Sequence, residues 1–147
     1  MPELHSTYAL SIDWTGGKQG SAHSPDDVPD LAIASPPQFG GPGGRWTPEH
    51  LFVGSAAACW MTTFLAVAEL SRLEVAAVAV GAEGFLERGD DRKFSIARIR
   101  LQPRVAVRRE EDREKALRLI QKAEDACLVA RSMRTIVELA PEVSVAV

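Results

Sequence analysis

Apolar and polar residues alternate at the start of the chain. Tyr8, Leu10, Ile12 and Trp14 fall on one side of residues 6–14, the spacing of a half-buried strand. Thr15-Gly-Gly-Lys-Gln-Gly20 is turn chemistry, so residues 18–23 are expected to return as the second strand of a hairpin. Leu31-Ala-Ile33 offers a short third strand. Seven of the nine residues 36–44 are Pro or Gly, which predicts a loop.

From Leu51 to Ala68 the chain carries no charge. Just ahead, Thr47 is a good N-cap, Pro48 suits the first helical position, and Glu49 suits the positive end of the helix dipole. A helix is therefore expected from Thr47 to about Ser71. It is apolar on all sides, which reads as buried. One small domain can hardly surround such a helix, so a homo-oligomer that buries it between subunits is expected. A membrane span needs about 20 apolar residues. Gly54, Ser55, Thr62, Thr63 and several alanines dilute this run, so no membrane role is expected.

Residues 75–86 and 94–107 read as two strands joined at Arg88-Gly-Asp-Asp91. The apolar phase slips between Ile96 and Ile99, which predicts a bulge near Ala97 and Arg98. Pro103 predicts an edge position or another irregularity. Residues 110–127 form an amphipathic helix with Ala116, Leu119, Ile120, Ala123 and Cys127 as its apolar stripe. Glu110, Glu111 and Asp112 load its first turn. Residues 135–139 and 143–147 alternate as closing strands around Pro141. Strands, helix, strands, helix, strand is the order of an α+β fold with antiparallel sheet, here a single domain over residues 1–147.

Composition narrows the function. The 147 residues suffice for one domain with a real core. Seventeen Lys and Arg against twenty Asp and Glu give a net charge of −3, which argues against a nucleic-acid partner. Met1-Pro-Glu-Leu-His5 has no basic stretch followed by an apolar one, so no signal peptide is expected. Two cysteines do not make a secreted disulfide framework. A cytoplasmic location is the expectation, and there a disulfide is usually catalytic or redox-sensing.

Candidate chemistry centres on Cys59 and Cys127, 127 − 59 = 68 positions apart on two helices. The helix face of Cys59 carries Phe52, Ser55, Ala56, Thr62, Thr63 and Ala66, small residues that leave room for a substrate or a packed partner. Cys127 ends an apolar stripe and faces the core. Either could equally be a small hydrophobe in close packing. His5, His23 and His50 are scattered, and no Cys/His pair has metal spacing. No metal or other cofactor is expected. His50 lies on roughly the opposite side of the helix from Cys59, which disfavours a cysteine hydrolase. The glycines of 40–44 lack the Walker spacing. Glu49, Arg45 and Lys18 each have an ordinary reading, as a helix-start carboxylate and two solvated loop cations.

Taken together these residues resemble the OsmC/Ohr family of thiol-dependent peroxidases over almost the whole chain. The resemblance rests on Trp14-Thr-Gly-Gly, Phe39-Gly-Gly-Pro42, Thr47-Pro48-Glu49, Ala58-Cys59 in the long apolar helix, and Lys122-Ala-Glu-Asp-Ala-Cys127. It implies an intertwined α+β homodimer, with the cysteine helices at its centre, that reduces organic hydroperoxides or hydrogen peroxide. It makes Cys59 the peroxidatic cysteine, Cys127 the resolving one, and Glu49 the active-site glutamate, supplied by the partner subunit or its own. Family peroxidases pair the reactive cysteine with an arginine. After the first hairpin's Gly-Gly this chain has Lys18, and before Thr-Pro-Glu it has Arg45. Lysine keeps the charge but loses the planar fork.

The thiolate is the attacking species. At a pKa of about 8.5 only ~3% of a cysteine is thiolate at pH 7, so lowering the pKa to about 6 gains only ~30-fold. The rest must come from orienting the peroxide and stabilising the departing alkoxide. Twelve residues at about 1.5 Å each put Cys59 ~18 Å from the start of its helix, beyond the reach of that dipole. A cation, Arg45 or Lys18, is therefore expected to stabilise the thiolate. A Cys59 sulfenic acid would condense with Cys127, and a dithiol reductant would reset the disulfide. The alternative is a non-enzymatic member of the fold that binds an apolar ligand or partner at the dimer interface.

Overall fold

The computed structural model describes residues 6–147. His5 and the reading of the first five residues lie outside them. The chain divides into two compact units, one ending at Leu51 and the other running Phe52–Val147.

The first unit is built on the expected hairpin. Strands β1 (Ser11–Gly16) and β2 (Gln19–His23) pair antiparallel from Ser11↔His23 to Gly16↔Gln19. Gly16 and Gly17 turn the chain at φ of 123° and 52°, values that glycine alone adopts at little cost. Strand β3 (Leu31–Ala34) adds antiparallel to β2. The alternating face of residues 6–14 differs from expectation. Regular pairing starts only at Ser11, and Tyr8, Leu10, Ile12 and Trp14 stand 87%, 67%, 53% and 78% exposed. The alternation is that of a strand with one apolar face, but among the described residues no second layer of this unit covers that face.

The Pro/Gly segment is a loop interrupted by one 3-10 turn, Pro37–Phe39. Gly41 is obligatory there, because a Cβ would sit 1.6 Å from the Ser35 carbonyl oxygen. Helix α1 (Pro48–Leu70) then starts as expected: the Thr47 hydroxyl accepts the His50 backbone N–H at 3.1 Å.

In the second unit α1 buries only Ala56, Trp60, Phe64 and Ala68, one stripe at helical spacing. Leu65 and Leu70 remain exposed. The all-round burial expected of this helix is therefore not achieved within this unit, where one stripe alone is buried.

Strands β4 (Val75–Arg88) and β5 (Phe94–Val107) form a long antiparallel hairpin. Phe85 pairs with Arg98 and Leu86 with Ile96, so Ala97 is the extra residue of the expected bulge. After β5 come a 3-10 turn at Glu110–Asp112, then α2 (Arg113–Ala126) and α3 (Leu128–Arg131). Strands β6 (Ile136–Leu139) and β7 (Glu142–Val145) close the chain, both parallel to β5. The hairpins are antiparallel as expected, and these two strands make the second sheet mixed. The helices between β5 and β6 supply the long crossover that parallel pairing needs. Pro103 lies where β6 has stopped at Leu139↔Leu101 and β7 has yet to begin at Glu142↔Arg104. Its missing N–H costs no ladder bond at that gap.

The core of this unit joins the α1 stripe to Ile99, Leu101, Val105 and Val107 of β5. Ala116, Leu119, Ile120 and Ala123 of α2 complete it. Trp60 stacks on Phe64 with ring centroids 5.1 Å apart.

Candidate active site

Cys59 lies on α1 immediately before the buried Trp60 and is half-buried. Its sulfur is 3.8 Å from the Thr63 hydroxyl, one turn further on. Cys127 is fully buried at the end of the α2 stripe. Its backbone leaves the helical region at φ −63°, ψ 111°, and its N–H donates to the Glu124 carbonyl at 3.1 Å. The same residue caps α3. The break at Cys127 therefore frees the first N–H groups of a new helical turn, which lack partners within that turn.

Those groups meet Cys59. Burial pushes the Cys59 thiol up, but the Val129 N–H, the Cys127 thiol, the Thr63 hydroxyl and the Leu128 N–H outweigh it. Together they hold the thiol below its ordinary value. No cation is among these causes. Within the chain, backbone amides and neutral hydrogen-bond donors lower the Cys59 thiol. The dipole of α1 is too distant, but a different chain reversal supplies N–H groups at the right place.

Cys127 moves the opposite way. Burial, the proton shared with Cys59, and the charges of Cys59 and Glu124 raise it to about 11, although the Ala130 N–H pulls in the lowering direction. Its neighbour Glu124 is raised to about 7, by burial first and by the charge of Asp125 second. The Glu124 Oε2 is buried without a hydrogen-bond partner among the described residues.

The structure thus brings Cys59 and Cys127 together. Lys18, Arg45 and Glu49 belong to the unit that ends at Leu51. The Lys18 amine donates to the Phe39 carbonyl at 2.9 Å. Arg45 is exposed and, among the described residues, reaches only the Gly44 carbonyl, at 3.5 Å. The Oε2 of Glu49 is buried and has no hydrogen-bond partner among the described residues. His50 shares a proton with its own cap residue, Nδ1 to Thr47 Oγ1 at 2.8 Å. Among the described residues no three His, Cys, Asp or Glu side chains cluster to hold a metal.

Sequence reasoning missed Glu124 and the amides of Leu128 and Val129. The amides left no sequence signal, since any residue type carries one. Glu124 did leave one, as a carboxylate one turn before the cysteine on the flank of an apolar stripe.

The geometry is a paired-thiol centre. A family model described as OsmC-like protein matches residues 41–142. The uncharacterized protein YmaD of Bacillus subtilis is 29% identical over 143 residues, 94% of this chain and 93% of that protein. The organic hydroperoxide resistance protein of Xanthomonas axonopodis pv. citri is 38% identical over 69 residues, 46% of this chain and 49% of that protein. The crystal structure of the organic hydroperoxide resistance protein OsmC from Legionella pneumophila superposes with a TM-score of 0.77 at 25% identity. That match covers 97% of this chain and 99% of that one. The chain belongs to the OsmC-like protein family.

Proposed function

We propose that this protein is a thiol-dependent peroxidase that reduces organic hydroperoxides and, less effectively, hydrogen peroxide. The observation that carries the reading is the meeting of two free thiols, Cys59 half-buried on α1 and Cys127 fully buried where α2 ends, displaced in opposite directions. Cys59 is held below the ordinary thiol range and Cys127 is pushed up to about 11. The pair divides into one nucleophile and one proton-bearing partner, which is what a two-cysteine cycle needs.

In that cycle the Cys59 thiolate attacks the terminal peroxide oxygen. The O–O bond breaks, Cys59 becomes a sulfenic acid, and the alkoxide leaves to take up a proton. Cys127 sulfur then attacks Cys59 sulfur. The S–O bond breaks, and the hydroxide leaves as water with the Cys127 proton. A dithiol reductant returns both cysteines to thiols by exchange, itself becoming a disulfide. Relatives named for organic hydroperoxide resistance support the substrate class.

The assembly we propose is a homodimer. The bare apolar face of β1 and the uncovered flanks of α1 each support it. The partner subunit would then supply Glu49 and a cation. Arg45 is the better candidate, since the Lys18 amine is engaged at Phe39. A reducing cytoplasm suits a protein whose resting thiols are both free.

The test is a titration of the reduced protein with cumene hydroperoxide, read by intact mass and free-thiol count. Loss of two hydrogens and both thiols at about one equivalent supports the cycle. Thiols that persist under excess peroxide would sink it and favour a binding role at the dimer interface.

A further inference from the structure

We propose that Glu124 is the proton acceptor of the disulfide-closing step, working through Cys127. The proposal rests on the peroxidase cycle above and adds to it a residue that the resemblance does not assign.

The placement is structural. Glu124 precedes Cys127 by one helical turn at the end of α2, and the hydrogen bond from the Cys127 N–H to the Glu124 carbonyl, at 3.1 Å, fixes that turn. The charge of Glu124 acts on the Cys127 thiol. Its Oε2 is withdrawn from water and has no hydrogen-bond partner among the described residues. An unsatisfied buried acceptor is costly to keep, and one beside a reacting thiol is where a native structure tolerates it for use.

The chemistry needs such a group. Cys127 must lose its proton as it attacks the sulfenic sulfur, and a thiol displaced upward by burial does not lose it to water readily. The carboxylate accepts the S–H proton while the S–S bond forms. The S–O bond of Cys59 breaks, and the departing hydroxide takes the proton back from Glu124 to leave as water. Cys59 and Cys127 end as a disulfide, Glu124 ends as it began, and no further reactant is consumed. A carboxyl that titrates near neutrality suits both halves of that transfer. The titratable groups facing it are Asp125 beside it on α2, Cys127, and, through Cys127, Cys59 of α1.

Stopped-flow oxidation with cumene hydroperoxide separates the steps. The first phase scales with peroxide concentration and reports Cys59 oxidation. The second does not, and reports disulfide closure. In the wild-type protein the second phase should quicken as pH rises through about 7. In Glu124→Gln it should fall at least tenfold relative to the first phase and lose that rise. Dimedone should then trap the Cys59 sulfenic acid that accumulates, and Glu124→Asp should recover part of the rate. A merely structural role would alter both phases together and leave the pH profile in place. An unchanged second phase in Glu124→Gln overturns the role of Glu124 while leaving the cycle standing. If that variant does not fold, a flat wild-type profile between pH 5.5 and 8.5 overturns it equally. A wild-type protein that forms no disulfide removes the cycle and this proposal with it.

Discussion

The Trp60 indole donates a hydrogen bond to the Ile120 carbonyl at 3.2 Å, inside the core where α1 meets α2. Cys59 is the residue before Trp60, and Cys127 follows Ile120 by 127 − 120 = 7 positions, about two helical turns. One buried bond therefore holds the two thiol-bearing helices in fixed register. Trp60→Phe keeps an aromatic ring over Phe64 but removes the donor and some volume. A loss of about 1–3 kcal/mol is expected from the missing bond. Urea unfolding measures that loss. Disulfide closure in the same variant should slow, because the sulfurs no longer share one rigid frame. A variant that is destabilised yet closes at the wild-type rate would separate the core from the site.

Much of this frame was legible in the sequence. The phase slip between Ile96 and Ile99 located the Ala97 bulge, because a one-residue insertion must move every later side chain to the other face. Thr47-Pro48 located the helix start through capping chemistry that acts within four residues. The features that escaped depend on residues distant in sequence. The alternation at Tyr8, Leu10, Ile12 and Trp14 marks an apolar face without saying which layer covers it. Parallel pairing of β6 and β7 is a matter of crossover topology. The amides of Leu128 and Val129 reach Cys59 only because Cys127 breaks the helix at that point.

The cap at Thr47 gives a local test. Its hydroxyl accepts the His50 N–H at 3.1 Å and also meets His50 Nδ1 at 2.8 Å. Thr47→Ala should cost about 0.5–2 kcal/mol. Thr47→Ser should recover most of it, since the capping oxygen is restored. Thermal unfolding of the three proteins side by side decides the matter.

The two thiols should differ sharply in reactivity before any peroxide is added. With a pKa of about 11, Cys127 is roughly one part in ten thousand thiolate at pH 7, and it is buried as well. Iodoacetamide at pH 7 should therefore label Cys59 first, by at least tenfold, as read by peptide mass mapping. The Cys127 thiol is one of the donors that lower Cys59. Cys127→Ala should accordingly slow labelling of Cys59 at neutral pH, and Cys127→Ser, whose hydroxyl also donates, should restore part of it. Equal labelling of both cysteines in the wild-type protein would contradict the division of roles.

Glu124 should also leave its mark on stability, with a definite sign. Its folded pKa, about 7, lies above the ordinary 4.5 because burial penalises the charged form. Below pH 4.5 the carboxyl is neutral in both states and the fold bears no penalty. As pH rises from about 4.5 to about 7 the unfolded chain ionises first, so stability falls across that window and then levels off. The full shift corresponds to about 3 kcal/mol, which partial access to solvent reduces to about 1–2 kcal/mol. Glu124→Gln cannot ionise. It should match the wild-type protein at pH 4.5 and exceed it by that margin at pH 8, measured by urea unfolding of the reduced proteins. The same substitution should slow disulfide closure, so the position would trade stability for proton transfer. A variant no more stable than wild type at pH 8 would mean that the buried carboxylate finds a partner, and Glu124 would then be no free base.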